Sequence, residues 1–333
     1  MTLVRERRHQ QALRLSLPPP VPAADFRRRS PLPSPLSSTS SNSPGITNLF
    51  ELEKLAVLGH GNGGTVYKVR HTSTSSIYAL KVLRLDEDAV AVRQQAAREA
   101  EILKRVDSEF IVKCHAVFDN GLADADCAGS ELCFVIEYME GGSLDDLLRR
   151  RRKLPEEAIS GLATRVLKGL NYLHEMQIVH GDIKPSNLLI NGEGEVKIAD
   201  FGVSRFVEGK FESSESFMGT SAYMSPERFD PEMWNEDFSD GFAGDVWSLG
   251  VVSAECHVGH FPLIAPGQKP DWATLMCAIC FGERMEIPET MSPEFQSFVG
   301  RCLEKDWRRR GTVEELLSHP FVTSCHSPQE LEG

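Results

Sequence analysis

The chain has 333 residues, of which 41% are hydrophobic and 25% are charged. These values are ordinary for globular proteins, so we expect a sizeable core in one large domain or two medium ones. The net charge is −12, from 36 basic and 48 acidic residues, which argues against a general nucleic-acid-binding protein. No apolar run approaches the roughly 18 residues of a membrane span, so we expect no membrane partner.

Residues 1–48 are rich in Pro, Ser and Arg, and they are predicted to be disordered because this composition buries too little apolar surface. Seven arginines and only two acidic residues lie there, so the acidic excess falls on the rest of the chain. Near the start, basic residues precede alternating leucines, in the order Arg5, Arg7, Arg8, Leu13, Leu15 and Leu17. A plain disordered arm and an organelle transit peptide are alternative interpretations of this segment.

From about residue 49 the pattern becomes that of a strand-rich region, with strands predicted over residues 65–69 and 77–82. A glycine-rich string lies before and into the first of these: Gly59, His60, Gly61, Asn62, Gly63, Gly64, Thr65 and Val66. Glycines let a backbone approach phosphates closely. A dinucleotide-binding fold begins similarly, but there the string opens a helix, whereas here it lies between strands.

Lys81 follows on the next strand, and a helix predicted over residues 89–106 offers two acidic partners for it, Glu99 and Glu101. They lie on different faces of that helix. We prefer Glu99 because Leu103, one turn later, lines the same inward face. Strands at 111–118 and 132–137 follow, and after about residue 141 the pattern is helical, notably over 156–174, 246–258, 293–304 and 312–318.

A short polar loop in the helical half brings together an acid, a lysine and an amide, Asp182, Lys184 and Asn187, and Asp200 opens an Asp-Phe-Gly triplet further on. With the glycine string and Lys81, this set resembles the catalytic loop and metal-binding motif of the protein kinases. A surface turn with accidental polar residues would not explain five matching spacings. The resemblance covers roughly residues 50–322.

The resemblance implies a bilobal α+β fold, with a small antiparallel sheet lobe that carries one main helix and a larger helical lobe. The implied boundaries are 49–322 for the kinase domain, about 49–137 and 140–322 for its lobes, and 323–333 for a C-terminal tail. It also implies that Ser225-Pro226-Glu227 stands in the place of Ala-Pro-Glu, with Glu227 paired to Arg310. His180 is interpreted as a packed core histidine.

The same resemblance implies phosphoryl transfer from ATP, with Mg²⁺, to a protein hydroxyl. Asp182 would orient the hydroxyl and accept its proton, while Lys184 would stabilise charge on the transferring phosphoryl group. Asn187 and Asp200 would hold magnesium. The implied nucleotide-binding residues are the glycine string together with Ala79, Lys81, Glu99, Glu137 and Met139.

Two segments resemble one particular group of protein kinases. Residues 219–229 are similar to the segment with which MAP kinase kinases seat the activation loop of their target. Residues 266–278 resemble the short-tailed plant group. This implies dual-specificity phosphorylation of a Thr and a Tyr on a MAP kinase, with a MAP kinase kinase kinase upstream. The basic and leucine pattern of the tail has the form of a MAP-kinase docking peptide.

The chain departs from the family at Gly181, where the family usually has an Arg that grips a phosphate on the activation loop. Plant relatives carry two phosphorylatable residues spaced Ser/Thr-x5-Ser/Thr there. Ser216 fits the second position, but the first falls on Lys210, which leaves Ser213 and Ser214 as irregular candidates. Two hypotheses follow: an active kinase whose loop is ordered without that phosphate, or a weakly active or inactive docking protein for MAP kinases.

The eight cysteines show no disulfide framework. Cys277 and Cys280 form a lone Cys-x-x-Cys inside an apolar helical pattern, without the second pair that is typical of a zinc site. We expect two buried helix thiols rather than a zinc or redox centre. Since the N-terminus also lacks the apolar core of a signal peptide, we expect a cytoplasmic or nuclear protein.

Overall fold

The computed structural model describes residues 45–61, 64–85, 90–119, 130–207, 221–230, 241–265, 268, 271–282, 288 and 290–324. The described residues belong to one unit, Gly45–Gly333. Several predicted residues lie outside these ranges: the docking candidates Arg5, Arg7, Arg8, Leu13, Leu15 and Leu17, the loop residues Asn62 and Gly63, and Lys210, Ser213, Ser214 and Ser216.

The N-terminal lobe is a five-stranded antiparallel sheet in the order β1-β2-β3-β5-β4. Its strands are β1 (Leu52–Gly61), β2 (Gly64–His71), β3 (Ile77–Leu85), β4 (Cys114–Asp119) and β5 (Ser130–Glu137), and its helix is α1 (Val90–Arg105). The apolar face of α1 joins Leu83 and Phe134 of the sheet in the core. In the central strand β3, Lys81 pairs with Val66 on one side and Phe134 on the other, so it faces the glycine string across the sheet.

The C-terminal lobe is mainly helical. Its helices are α2 (Leu144–Arg151), α3 (Glu156–Glu175), α4 (Pro226–Phe229), α5 (Phe242–Val258), α6 (Trp272–Met276), α7 (Pro293–Cys302), α8 (Val313–Leu317) and α9 (Pro320–Thr323). Short strands accompany them: β6 (Gly142–Ser143), β7 (Ile178–Val179), β8 (Leu188–Ile190), β9 (Val196–Ile198) and β10 (Arg205–Phe206). The predicted α+β, bilobal fold is therefore confirmed.

Local sequence explains where the helices begin and end. Ser143 caps α2 in a reciprocal box with Asp146, which satisfies two otherwise unpaired main-chain donors. Helix α5 ends at Gly259, whose φ of 81° is the left-handed conformation that glycine adopts without strain. Helix α3 buries Leu162, Val166 and Leu170, whose spacing of four residues places them on one face.

Strand β4 begins at Cys114, later than the predicted start at residue 111. The reason is that the preceding residues bond to the other lobe. Ile111 forms a parallel bridge with Ile198, and the Val112 amide donates to the carbonyl of Ile198 at 2.9 Å. This segment therefore ties the N-terminal lobe to β9, which directly precedes Ala199 and Asp200.

The prediction of two buried cysteines in the Cys-x-x-Cys segment is wrong. Cys280 is buried, but Cys277 is exposed. The two residues lie on a π-helical turn, Cys277–Phe281, which is wider than an α-helical turn. Positions three apart, which an α-helix would bring to one face, therefore separate here. Within the described part of the chain, no helix combines the length and apolar character that crossing a bilayer requires.

Candidate active site

Lys81 lies between two carboxylates. Its Nζ is 2.6 Å from Oε1 of Glu99 and 2.8 Å from Oδ1 of Asp200. The preference for Glu99 over Glu101 agrees with this geometry, since Glu101 instead pairs with Arg105 at an exposed position of α1. Glu99 is 3% exposed, so this contact joins helix α1 to the central strand from inside the lobe.

Charge and burial act in opposite directions in this cluster. Burial alone would lower the pKa of Lys81, but Asp200 and Glu99 outweigh it, and the pKa is raised above its usual value. Burial raises the pKa of Glu99, and Lys81 only partly offsets this. Burial also acts to raise the pKa of Asp200, but Lys81 reverses that effect and holds this pKa lowered. Lys81 is therefore a fixed cation beside an ionised Asp200.

Asp182 is nearly buried, and its two carboxylate oxygens differ. Oδ2 lies 2.8 Å from Nζ of Lys184 and accepts a hydrogen bond of 2.8 Å from Nδ2 of Asn187. Within the described residues, Oδ1 has no hydrogen-bond partner. Burial raises the pKa of Asp182, and the neighbouring Lys184 partly offsets the rise. One carboxylate oxygen is thus held by two donors, while the other is buried and has no donor among the described residues.

The main chain before Asp182 is bound to helix α5 through Asp245. Its Oδ1 accepts from the Gly181 amide at 2.7 Å, and its Oδ2 accepts from the His180 amide at 3.0 Å. His174 also lies 3.0 Å from Oδ2. Burial would raise the pKa of Asp245, but these partners, with His174 foremost, hold it lowered. Asp245 is therefore a buried, charged anchor for the catalytic loop.

His180 is fully buried, as predicted for a core histidine. Its Nδ1 accepts from the Asp182 amide at 3.2 Å, so its Nε2 carries the proton and donates to the Ala199 carbonyl at 3.2 Å. Its ring also meets Phe201 edge to face, with centroids 5.2 Å apart. His180 therefore connects the catalytic loop to the segment that carries Asp200.

Asp200 has a φ of +65°, which is uncommon for a residue with a side chain. Its Oδ1 accepts from the Gly202 amide at 3.3 Å, which helps to fix this conformation. The side-chain amide of Gln95 on α1 donates to the Gly202 carbonyl. Such conformations concentrate at functional sites, where surrounding contacts hold them. Helix α1 therefore fixes the Asp-Phe-Gly segment as well as Lys81.

The described residues of the glycine string, 59–61 and 64–66, form the end of β1 and the start of β2. A Cβ on Gly59 would meet nothing within 4 Å, so the missing side chain leaves open space beside the strand. Gly64 has a different reason to be glycine, since its Cβ would lie 2.6 Å from both the Leu83 side chain and the Val82 carbonyl. His60 and Thr65 pair across the hairpin, with Nδ1 and Oγ1 3.2 Å apart.

The remaining predicted nucleotide residues lie along β3 and the connection between the lobes. Ala79 is buried in β3. Glu137 ends β5, and its carboxylate is bound to Lys197 Nζ at 2.6 Å. Met139 packs its side chain with Val112 and Ala199. Because these contacts engage the side chains of Glu137 and Met139, their main-chain groups would be the ones that bind a nucleotide.

Glu227 and Arg310 form a buried pair, as the resemblance implied. Two parallel contacts of 2.7 and 3.0 Å join the guanidinium to the carboxylate. The guanidinium also donates to the carbonyls of Ala243 and Glu304. The pair therefore holds α4, the start of α5 and the segment after α7 together.

The sequence carries no signal of the contact that Arg228 makes with the catalytic loop. Its Nη1 donates to the Gly181 carbonyl at 2.6 Å. The two residues are 47 positions apart, and no periodicity or motif relates them. The hydrogen bond from Gln95 to the Asp-Phe-Gly segment was missed for the same reason.

The sequence profile of the protein kinase domain matches residues 52–322. The chain is 55% identical to "Mitogen-activated protein kinase kinase 10" of Arabidopsis thaliana, over 97% of this chain and 99% of that relative. It is 51% identical to "Mitogen-activated protein kinase kinase 9" and 47% identical to "Mitogen-activated protein kinase kinase 7" of the same plant, with equal coverage. The chain therefore belongs to the protein kinase family and, within it, to the plant MAP kinase kinases.

Proposed function

We propose that this chain is a dual-specificity MAP kinase kinase that transfers the γ-phosphoryl group of ATP to a Thr and a Tyr of a MAP kinase activation loop. The observation that carries the proposal is the arrangement at Asp182, where Lys184 and Asn187 hold Oδ2 and leave Oδ1 without a donor, a place that a substrate hydroxyl would fill. Lys81 supplies a cation for the triphosphate, Glu99 holds that lysine in place, and Asp200 offers a carboxylate for a metal ion.

The donor set fits magnesium and ATP, which protein kinases generally use. Asp200 offers a carboxylate of lowered pKa, and Asn187, which donates through Nδ2, has its amide oxygen as the remaining acceptor. Hard oxygen ligands of this kind suit Mg²⁺. Asn187 and Asp200 would hold the ion, which when bound neutralises charge on the phosphate oxygens.

The chain's own residues account for the remaining requirements of the reaction. Asp182 accepts a hydrogen bond from the substrate hydroxyl through Oδ1 and takes its proton as the oxygen attacks the γ-phosphorus. The bond from that phosphorus to the ADP oxygen breaks, and a phosphate ester forms. Lys184, held beside Asp182, would stabilise charge on the transferring group, and Lys81 would bind the α- and β-phosphates.

The partners follow from the family: a MAP kinase as substrate and an upstream kinase as activator. We propose that the basic and leucine residues of the tail, Arg5, Arg7, Arg8, Leu13, Leu15 and Leu17, dock the MAP kinase. Cations would meet acidic side chains, and leucines would fill an apolar groove. The alternative, an inactive docking protein, is not favoured, because each group that the reaction needs among the described residues is retained.

The test is a transfer assay with purified full-length protein, ATP, Mg²⁺ and a MAP kinase whose own catalytic aspartate has been replaced. We expect phosphate on both the Thr and the Tyr of the target, detected by peptide mass spectrometry. Asp182→Ala should abolish both. Labelling that persists in that variant would come from a contaminating kinase, and no Asp182-dependent transfer to any of a panel of plant MAP kinases would reject the proposal.

A further inference from the structure

Arg228 reaches the catalytic loop from outside it. It lies on α4, directly after Glu227, and its guanidinium donates to the carbonyl oxygen of Gly181 at 2.6 Å. Gly181 immediately precedes Asp182. The charged donor therefore holds the peptide bond from which the catalytic carboxylate extends.

The main chain of Gly181 is bound on both sides by groups of opposite charge. Its amide donates to the Asp245 carboxylate at 2.7 Å, and its carbonyl accepts from Arg228. The hydroxyl of Ser204 donates to the preceding carbonyl, that of His180, at 2.8 Å. Gly181 itself has a φ of +78°, which glycine adopts without strain. The loop is thus fixed by its main chain rather than by a side chain at position 181.

The guanidinium of Arg228 also borders the position that a side chain at 181 would enter. A Cβ built on Gly181 would lie 3.6 Å from Nη2 and 3.7 Å from Nη1 of Arg228. The stem of Arg228 is close to α5, since a Cβ on Gly244 would lie 3.2 Å from its Cδ. Glycine at 244 therefore leaves space for the stem of Arg228, and the guanidinium lies in van der Waals reach of position 181.

We propose that Arg228 is a positioning residue for Asp182, which ties α4 to the catalytic loop through a bond that needs no phosphate. The proposal rests on the kinase activity proposed above. An arginine at position 181 would link the catalytic loop to the activation loop only through a phosphate on that loop, whereas Arg228 links α4 to the catalytic loop directly. The position of Asp182 would therefore depend on the placement of α4, which lies in the segment predicted to meet the substrate.

The test compares Arg228→Met, Arg228→Ala and Arg228→Lys with a matched loss of a surface arginine, Arg149→Met. Arg149 is 73% exposed and pairs with Asp145 within α2. For each protein, kcat and KM are measured for MAP kinase phosphorylation, and the slow ATP hydrolysis is measured without any MAP kinase. The thermal transition of each variant is recorded alongside.

We expect Arg228→Met to lower kcat roughly tenfold in both reactions, the size that losing one hydrogen bond from a charged donor produces. The KM values for ATP and the MAP kinase should stay as in the wild type, and the thermal transition should fall by a few degrees at most, as expected for one lost hydrogen bond. Arg228→Lys should retain part of the lost activity. Millimolar methylguanidine should raise kcat of Arg228→Ala but not of Arg149→Met, which a general loss of folding could not reproduce.

Three results would overturn the inference. An unchanged kcat in Arg228→Met would show that the bond does not position Asp182. An effect confined to KM for the MAP kinase would make Arg228 a substrate contact instead. A thermal transition low enough for the variant to unfold at the assay temperature, without rescue by methylguanidine, would make its role structural. A wild type that hydrolyses ATP through Asp182 yet phosphorylates no MAP kinase would reject the proposed function alone, because the hydrolysis measurement still tests Arg228.

Discussion

Two buried ion-pair sites of this kinase differ in how completely their charges are matched. At Glu227 and Arg310, one cation meets one anion, Arg310 is 0% exposed, and its guanidinium also donates to main-chain carbonyls. At Lys81, one cation meets two carboxylates, and Asp200 remains 36% exposed. The first site is complete without a ligand. The second carries an excess of negative charge at an accessible position, which is the condition for accepting a further cation.

Removing Arg310 should have the largest effect on stability. Arg310→Met leaves Glu227 buried without its partner, so we expect the free energy of unfolding to fall by about 3–5 kcal/mol. Arg301→Met removes an arginine from an exposed pair with Glu315 and should change stability by less than about 1 kcal/mol. Urea denaturation of both variants measures their free energies of unfolding for comparison with the wild type. Equal effects would mean that burial does not distinguish the two pairs.

Removing Lys81 should affect catalysis more than folding. Lys81→Met takes away a fixed cation of the phosphate site, so kcat/KM should fall by roughly 10²–10³.

In the same variant Glu99, whose pKa burial already raises, loses its partner and should take up a proton on folding. A carboxyl group whose pKa is raised in the folded state contributes to the free energy of unfolding at acid pH, and this contribution is lost as the pH rises. The variant should therefore be closer to wild-type stability at pH 5.5 than at pH 8. A pH-independent stability difference would contradict this account of Glu99.

A smaller effect should come from Lys184, through the pKa of Asp182. Asp182 must be unprotonated to accept a proton, and burial already raises its pKa. Lys184 opposes that rise, so Lys184→Met should raise the pKa further. The acid side of the kcat–pH profile should then move to higher pH, in addition to a lower maximum. Lys113→Met, at an exposed pair with Asp107, should leave the profile in place. A shift to lower pH would show that Lys184 does not act on Asp182 in this way.

The smallest effect is expected at Ser216. Because Gly181 offers no cation from the catalytic loop to receive a phosphate, Ser216→Ala should change kcat little. The measurement is activity before and after treatment with an upstream kinase, with phosphate occupancy determined by mass spectrometry. A large loss of activity in Ser216→Ala would mean that another cation receives the phosphate. It would also show that the activity still depends on phosphorylation of Ser216.

The sequence predicted those parts of the site that depend on local spacing. The helical turn from Glu99 to Leu103 was enough to prefer Glu99 as the partner of Lys81, and the structure places the two 2.6 Å apart. Contacts between distant main-chain and side-chain groups left no such signal. The bond from Arg228 to Gly181 joins an arginine to a carbonyl, which every residue has. The packing reason for Gly64 likewise depends on the neighbouring strand, which the motif does not describe.

The unpartnered oxygen of Asp182 has a consequence for the resting enzyme. A buried acceptor without a donor lowers the stability of the folded state by about 1–3 kcal/mol. The hydroxyl of the substrate supplies the missing donor, so part of the binding free energy is stored in the protein before the substrate arrives. Selection for catalysis and selection for a robust fold therefore pull in opposite directions at this one atom.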